Sequence, residues 1–434
     1  MDYQAATPFL FTFALINRTF DLTKDNWLQE GLKRTSGGLA SALIALQVNP
    51  IIRYQTQSQL CKSLAEKVGT MIKNEALSNK NWRQAAPFDI NSLLLILDRR
   101  NDLITPLVNK WTYYAMIHEF FGISHNRISL ASVPNPKPRD PKEMLLSLEN
   151  DQFFEENYFK NYGELATNLK TAVEDLKAHT KSQHKVETMS DMKRFIDEYP
   201  ETRRYASNLH NHVFLMSEIA RIVSEHNLMI VSECEQEMAC DLSTSQEILK
   251  RLKQIVSDLS TRAIDALRLV SLFTVCYPNK AGHGDLIKLL MSRQDITPDN
   301  LQFIRQLCEF SSTRAQNPLV QQVTRMIVQG VKGVENVLTE YRPGLSKILE
   351  DLRKGNKLKE TEFAFYGERY KEQPPKRIIV FIVGGVTYNE ALIADQINRT
   401  SGTRVIVGGT SIHNFQSFMD EVSHAVNLMK DVSH

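Results

Sequence analysis

Apolar positions along this chain follow two rhythms, and the rhythms divide by region. Near both ends they come in short unbroken runs: Leu93 to Leu97 inside SLLLILDRRNDLITPL, Arg377 to Gly385 (RIIVFIVGG) and Thr403 to Thr410 (TRVIVGGT). Continuous rather than alternating runs predict parallel strands covered on both faces. PFLFTFALI (Pro8 to Ile16) alternates aromatic and aliphatic residues and also predicts a strand. Helical segments follow or intervene. WTYYAMIHEFFG is closed by Gly122, and VTYNEALIADQIN and SFMDEVSHAVNLM carry the helical period. Residues 56 to 78 bear a stripe of Leu60, Leu64, Val68, Met71 and Ile72. TSGGLASALIAL (Thr35 to Leu46) opens with small polar residues, which predicts a capped helix start. Two short strands near the C-terminus cannot form a core alone. They join most economically with the sheet begun near Leu93, through a right-handed crossover. The fold class expected is α/β plus mainly α: a parallel-sheet α/β domain assembled from both ends of the chain, with a large helical domain inserted.

The middle of the chain has the second rhythm. Tyr162, Leu165, Leu169, Val173 and Leu176 recur at three and four residues, as do Leu209, Val213, Met216, Ala220 and Val223. These predict two long amphipathic helices in an αα-hairpin. The polar stretch between them, residues 179 to 204, predicts a connector with one short apolar-periodic piece at Met189, Met192, Phe195 and Ile196. Residues 244 to 340 read as further helices without a fixed repeat, which argues against a solenoid. Four prolines in ASVPNPKPRDP (residues 131 to 141) can continue neither helix nor central strand, and place a domain boundary nearby.

Composition narrows the class. The 434 residues are 42% hydrophobic and 24% charged, ordinary for a chain with a real core, and the length suggests two or three domains. A net charge of +2 supplies no global field for nucleic acid. No apolar run reaches the roughly 20 residues that span a bilayer, and PFLFTFALI lacks the basic flank and cleavage site of a targeting signal. Five scattered cysteines (Cys61, Cys234, Cys240, Cys276, Cys308) form no C-x-x-C pair and suit reduced thiols in the cytosol. The sequons at Asn17 and Asn398 are then expected to stay bare.

Candidate chemistry centres on Asp98, Arg99, Arg100 and Asp102. An acid and two guanidiniums at the end of a buried strand suit an α/β enzyme acting on a phosphorylated substrate. No catalytic partner set completes that reading, and an internal salt-bridge and capping network is the reading preferred. Gly384-Gly385 and Gly408-Gly409 each follow a strand. Neither pair matches a dinucleotide or P-loop pattern, and turn glycines with Thr387 or Ser411 as helix caps explain them. His210 and His212 point to different sides of a helix, and no metal site or cofactor is expected. In the connector Lys193, Arg194, Arg203 and Arg204 interleave with Phe195, Tyr199 and Tyr205, a composition suited either to a solvated loop or to a partner-binding tip. Neither a catalytic residue nor a nucleic-acid partner is expected.

Longer motifs carry a family likeness. LLLILDRRNDLITPLVNKWTYYAMIHEFFGI (residues 93 to 123), with Pro106 inside it, resembles a signature of the SM (Sec/Munc-type) proteins, SNARE-binding regulators of vesicle fusion. IIVFIVGGVTYNEALIADQIN and TRVIVGGTSIHNFQSFMDEV resemble the family's C-terminal signature. SDMKRFIDEYPE, NLMIVSECEQEMACD and QGVKGVENVLTEYRP resemble the vacuolar-protein-sorting forty-five subgroup, which serves trans-Golgi and endosomal SNAREs. The resemblance implies a non-enzymatic chaperone that binds a syntaxin-type SNARE and its bundle. It would sit in the cytosol, peripheral to Golgi and endosomal membranes and reaching them only through SNAREs. It also implies domain limits. Residues 1–15 would be the end of family domain 1, and 16–125 and 343–434 two segments of domain 2. Residues 126–342 would be helical domain 3, with a hairpin subdomain near 150–240, a second near 241–342, and Pro200 in the switchable tip. Most of domain 1, with its pocket for the syntaxin N-terminal peptide, is expected to be missing.

Overall fold

A computed structural model describes residues 3–15, 20–21, 25–131, 133–134, 141–183, 189–312, 341–368, 370 and 373–431. The chain divides into two compact units, one of Met1–Val108 with Ile230–His434 and one of Asn109–Met229.

The first unit is built on a sheet drawn from both ends of the chain. Its strands are β1 (Gln4–Thr7), β2 (Leu10–Thr12), β5 (Asn49–Gln55), β6 (Phe88–Asp98), β9 (Phe363–Phe365), β10 (Arg377–Val383) and β11 (Arg404–Gly409), in the order β1-β2-β11-β10-β6-β5-β9. A small ribbon of β3 (Phe20–Asp21) and β4 (Asn26–Trp27) stands apart from that sheet. The five inner strands are parallel and the two edge strands antiparallel. β6 and β10 stay in register over seven pairs, from Ser92 beside Arg377 to Asp98 beside Val383. Their side chains from Leu94 to Ile96 and from Ile378 to Phe381 are fully buried, as a parallel strand covered on both faces requires. The sequence reading of β6, β10 and β11 matches these strands.

The helices of this unit are α1 (Gln29–Ala45), α2 (Gln59–Ser78) and α3 (Lys80–Ala85) before the insertion. Several expectations need correction. The segment 1–15, expected to be the end of a separate domain, forms two short strands of this same sheet, with β2 parallel to β11. The helix expected to start at Thr35 starts at Gln29, so Thr35 and Ser36 are buried mid-helix residues, not caps. α1 packs against α2.

The second unit holds α4 (Tyr113–Phe121), α5 (Gln152–Asn157), α6 (Tyr162–Gln183), α7 (Met189–Glu225) and an antiparallel ribbon of β7 (Arg127–Ser129) with β8 (Glu143–Leu145). The boundary expected near the prolines, and the domain segment expected to end at 125, move to Val108. The reason is aromatic packing: Tyr113 and Tyr114 lie edge-on to Phe154 of α5, which fastens α4 to this unit. The expected connector at 179–204 is mostly helix. α7 runs from Met189 through Pro200 to Glu225, although Pro200 has no amide hydrogen to donate to Ile196.

The remaining helices are α8 (Leu228–Ala239), α9 (Ser245–Ser257), α10 (Ala263–Cys276), α11 (His283–Ser292), α12 (Pro298–Ser312), α13 (Gly344–Arg353), α14 (Tyr388–Thr400) and α15 (Phe415–Asp431). The helix read over residues 318 to 338 lies outside the described residues. Expected as part of an inserted domain, α9 to α12 instead group with the sheet. Phe303 of α12 meets Phe415 of α15 edge to face, Phe310 meets Phe418 likewise, and the Arg268 guanidinium lies 4.8 Å over the Phe415 ring.

Gly408 and Gly409, expected in a turn, are strand residues. A β-carbon at Gly408 would sit 2.3 Å from the Phe11 ring, which stacks on Phe381. Gly408→Ala is expected to cost about 1–3 kcal/mol by forcing that ring aside. Phe11→Leu should lessen the cost of the second change, so the double variant should melt in urea closer to Phe11→Leu than additivity allows. A Gly408→Ala protein with parental stability would remove the packing explanation.

Candidate functional site

The end of β6 concentrates charge in the core. Asp98 is 4% exposed, Arg99 2% and Arg100 6%, so each needs a partner within the protein. The Asp98 carboxylate accepts from the Arg100 amide at 2.9 Å, from Arg100 Nε at 3.0 Å and Nη2 at 2.8 Å, and from the Ser58 hydroxyl at 2.6 Å. Ser58 in turn caps α2, accepting from the Cys61 amide. Arg100 also pairs with Asp25, whose other oxygen accepts from the Gln59 amide. One acid and one guanidinium thus bind the end of β6 to the start of α2 and to the 25-loop.

Arg99 faces the other way. Its Nη2 donates to both Glu390 oxygens, at 2.7 and 2.6 Å, and its Nε and Nη2 donate to the Gly385 carbonyl. Nη1 donates to the Asp102 carbonyl. Burial alone would lower the Arg99 pKa, but the carboxylates of Glu390 and Asp102 outweigh it and hold the guanidinium above its ordinary value. Glu390 closes a capping box with Thr387 at the start of α14. Asp102 accepts from the Thr105 amide and hydroxyl in the short helix Thr105–Leu107, where Pro106 is buried. The Tyr341 hydroxyl lies 3.0 Å from that of Thr105.

Gly384 and Gly385 form the turn after β10, with φ of +87° and +92°. A β-carbon at Gly385 would also strike the His413 ring at 2.2 Å. Thr387 is the cap expected from the sequence. Ser411 is not. Its hydroxyl meets His413 Nε2, and Asn414 caps α15 by accepting from the Ser417 amide. Beside the clamp, at the carboxyl ends of β6 and β10, lies a cleft of about 340 Å³.

The second candidate surface is on α7. Its backbone carries Lys193, Arg194, Phe195, Tyr199 and Pro200, whose side chains lie outside the described residues. Arg203 and Arg204 are exposed and Tyr205 is half-buried. Burial, then the charges of Glu156, Asp175 and Asp151, push the Tyr205 phenol upward.

A buried network at the base of this hairpin escaped the sequence reading. His212, with no exposed surface, has Nδ1 2.7 Å from the Tyr113 hydroxyl and Nε2 2.9 Å from Asp151, which also caps α5. The rings of Phe153 and Phe154 flank the imidazole. The available signal was position: His212 follows Leu209 by three residues on the apolar stripe of α7. Among the described residues no group of three or more His, Cys, Asp or Glu side chains could hold a metal ion.

The sheet is drawn from both ends of the chain, and the long helical hairpin lies between those ends in sequence. The chain belongs to the Sec1 family, whose profile matches residues 1–421. It is 38% identical over 431 residues to Vacuolar protein sorting-associated protein 45 of Rattus norvegicus, covering 97% of this chain and 74% of that protein. Among solved structures it is similar to the SM protein Vps45 in complex with the Qa SNARE Tlg2, with a TM-score of 0.87 and 35% identity over 98% of this chain and 75% of that one. A structure of the SM protein Vps45 gives a TM-score of 0.81 at 32% identity, covering 98% and 74% of the two chains.

Removing one partner of a buried ion pair strands the other. Arg99→Met is therefore expected to cost about 3–5 kcal/mol, and Arg99→Met with Glu390→Met clearly less than the sum of the two single changes. Urea denaturation of the four proteins measures this, and strict additivity would show that the pair is not coupled. Asp98→Ala should likewise lower the melting temperature, because it takes from the buried Arg100 one of its two acids and from Ser58 its acceptor; parental thermal stability would count against the clamp.

Proposed function

We propose that this chain is a non-enzymatic SM protein that binds a Qa, syntaxin-type SNARE and templates SNARE assembly for docking and fusion in trans-Golgi, endosomal and vacuolar transport. The observation that carries the reading is the likeness, at 35% identity and a TM-score of 0.87, to a Vps45 chain solved with the Qa SNARE Tlg2. The mechanism is a lowering of ordering cost. Isolated SNARE segments lose conformational entropy when they align, and a rigid surface that already presents their register lowers that barrier. The α6–α7 hairpin, more than thirty residues long on its second arm, offers such a surface, with the exposed Arg203 and Arg204 near its middle. The buried His212 network gives the base of α7 a fixed footing.

The competing enzymatic reading, a phosphorylated substrate at the Asp98–Asp102 loop, fits the geometry poorly. The Asp98 carboxylate and the Arg99 fork are bonded within the protein, so a substrate would have to displace structural partners. No cofactor enters the mechanism. Among the described residues no helix is long and apolar enough to cross a membrane. Attachment to Golgi and endosomal membranes through the SNARE partner, from the cytosol, completes the reading.

Charge reversal of Arg203 and Arg204 to Glu is expected to weaken binding of a purified Qa SNARE bundle by roughly tenfold, about 1.4 kcal/mol, with circular dichroism unchanged. Parental affinity in an intact double variant would remove this part of the hairpin from the interface.

A further inference from the structure

The cleft beside the clamp has no part in the SNARE reading. Its position is where open α/β sheets bind ligands, outside the carboxyl ends of parallel strands. Its floor is Leu97 and Ile382, register partners at the ends of β6 and β10. Its walls, among the described residues, include Leu345 and Ile348 of α13, with Leu358 and Phe363 from the segment that follows. The volume of about 340 Å³ lies in the range of small-molecule sites, roughly 300–1,000 Å³.

Charge is distributed unevenly between its depth and its mouth. At depth, Arg99 and Glu390 are closed on each other, and Asp102 accepts from Thr105. A polar ligand group would find those partners already engaged, whereas an apolar body would displace water from Leu97, Ile382 and Ile348. At the mouth, Arg342, Lys347, Lys357 and Lys359 outnumber Asp351 and Glu362. Lys359 reaches Glu362 at 3.1 Å and Arg342 reaches Glu350 at 3.8 Å, while Lys357 is exposed in the segment after α13. An apolar body inside and an anionic head outside satisfy both halves.

We propose that this cleft binds a single-chain amphiphile with an anionic head group, its chain against Leu97, Ile348 and Ile382 and its head among the lysines at the mouth. That chemistry is available from a free fatty acid or lysophospholipid, or from an anionic lipid drawn out of a bilayer. The proposal does not depend on the SNARE reading, since neither the hairpin nor a partner takes part.

The test uses the full chain with dodecyl phosphate below its micelle-forming concentration, and separately with phosphatidylcholine vesicles with and without phosphatidic acid. Calorimetry and thermal melting are read together. Saturable binding of dodecyl phosphate is expected, with a rise in melting temperature. Ile348→Trp, which fills the cleft, should abolish it, and Lys357→Glu, at an exposed site that does not endanger folding, should weaken it severalfold. Lys170→Glu, on the other unit, should leave it unchanged. Binding only to phosphatidic acid vesicles, still lost with Ile348→Trp, would support the site and assign the bilayer as source. No saturable binding to either, or binding that ignores Ile348→Trp and falls equally with Lys170→Glu, would overturn the proposal.

Discussion

The Arg99–Glu390 ion pair is the constraint around which the first unit is arranged. The two residues are 291 positions apart in sequence, yet both side chains are only 2% exposed. Taking two charges out of water costs several kcal/mol each, and their attraction repays this only when the remaining donors and acceptors are also satisfied. Here they are met by backbone and caps. The Gly385 and Asp102 carbonyls take the other Arg99 protons, and the Thr387 amide and hydroxyl donate to Glu390. The pair therefore joins three loops at once, and it forms only if β6 and β10 are adjacent and in register. Hydrophobic pairing brings the ends of the chain together; the ion pair makes one register better than its neighbours.

The same logic explains why the loop resembles an active site although its charged groups are bonded to one another. Catalytic acids and arginines have capacity left for a substrate. Asp98 gives its acceptor positions to Arg100 and Ser58, and thereby fixes a helix start and a strand end together. The second unit repeats the device around a buried histidine. His212 sits between Tyr113 and Asp151, so one helix is anchored to the starts of two others through a single imidazole. In both cases buried polar groups specify which elements meet, a task that apolar packing performs with less selectivity.

Much of the fold was legible because both faces of the inner strands are covered. That condition writes itself as unbroken apolar runs, and β6, β10 and β11 were read from them. β5 was missed for the opposite reason. NPIIRYQ carries an arginine at its centre, but Arg53 is 2% exposed, donates to the Leu358 and Phe363 carbonyls, and lies over the Phe365 ring. Those partners lie more than 300 residues away, so no local window contains them. Distance also hid the role of Gly408, whose missing β-carbon makes room for Phe11. Ser411 was read as the cap of the last helix; Asn414 takes that role, while His413 engages Ser411. For the site, the clamp residues were visible as a cluster of charge on a buried strand. Their partners Ser58, Asp25 and Glu390 were not, since pairing over such separations leaves no spacing to read.

The clamp also explains how a sheet can accept a long insertion between two adjacent strands. Closing a loop costs entropy that grows only slowly with its length, so the insertion's size is a small burden once its ends are fixed. The fixing happens at the exit and the return. The chain leaves the sheet at Asp98 and is held by Asp102 and Thr105. It returns at Tyr341, whose hydroxyl meets Thr105 and whose amide donates to Gln236 of α8. Burial, then the charge of Asp102, drives the Tyr341 phenol well above its usual range, so it stays a neutral hydroxyl at this junction. With the Thr105 and Tyr341 hydroxyls in contact across 236 positions, the two ends of the insertion stay tied to one another. A sheet so tied keeps its register at the clamp, whatever length of chain runs between β6 and β10.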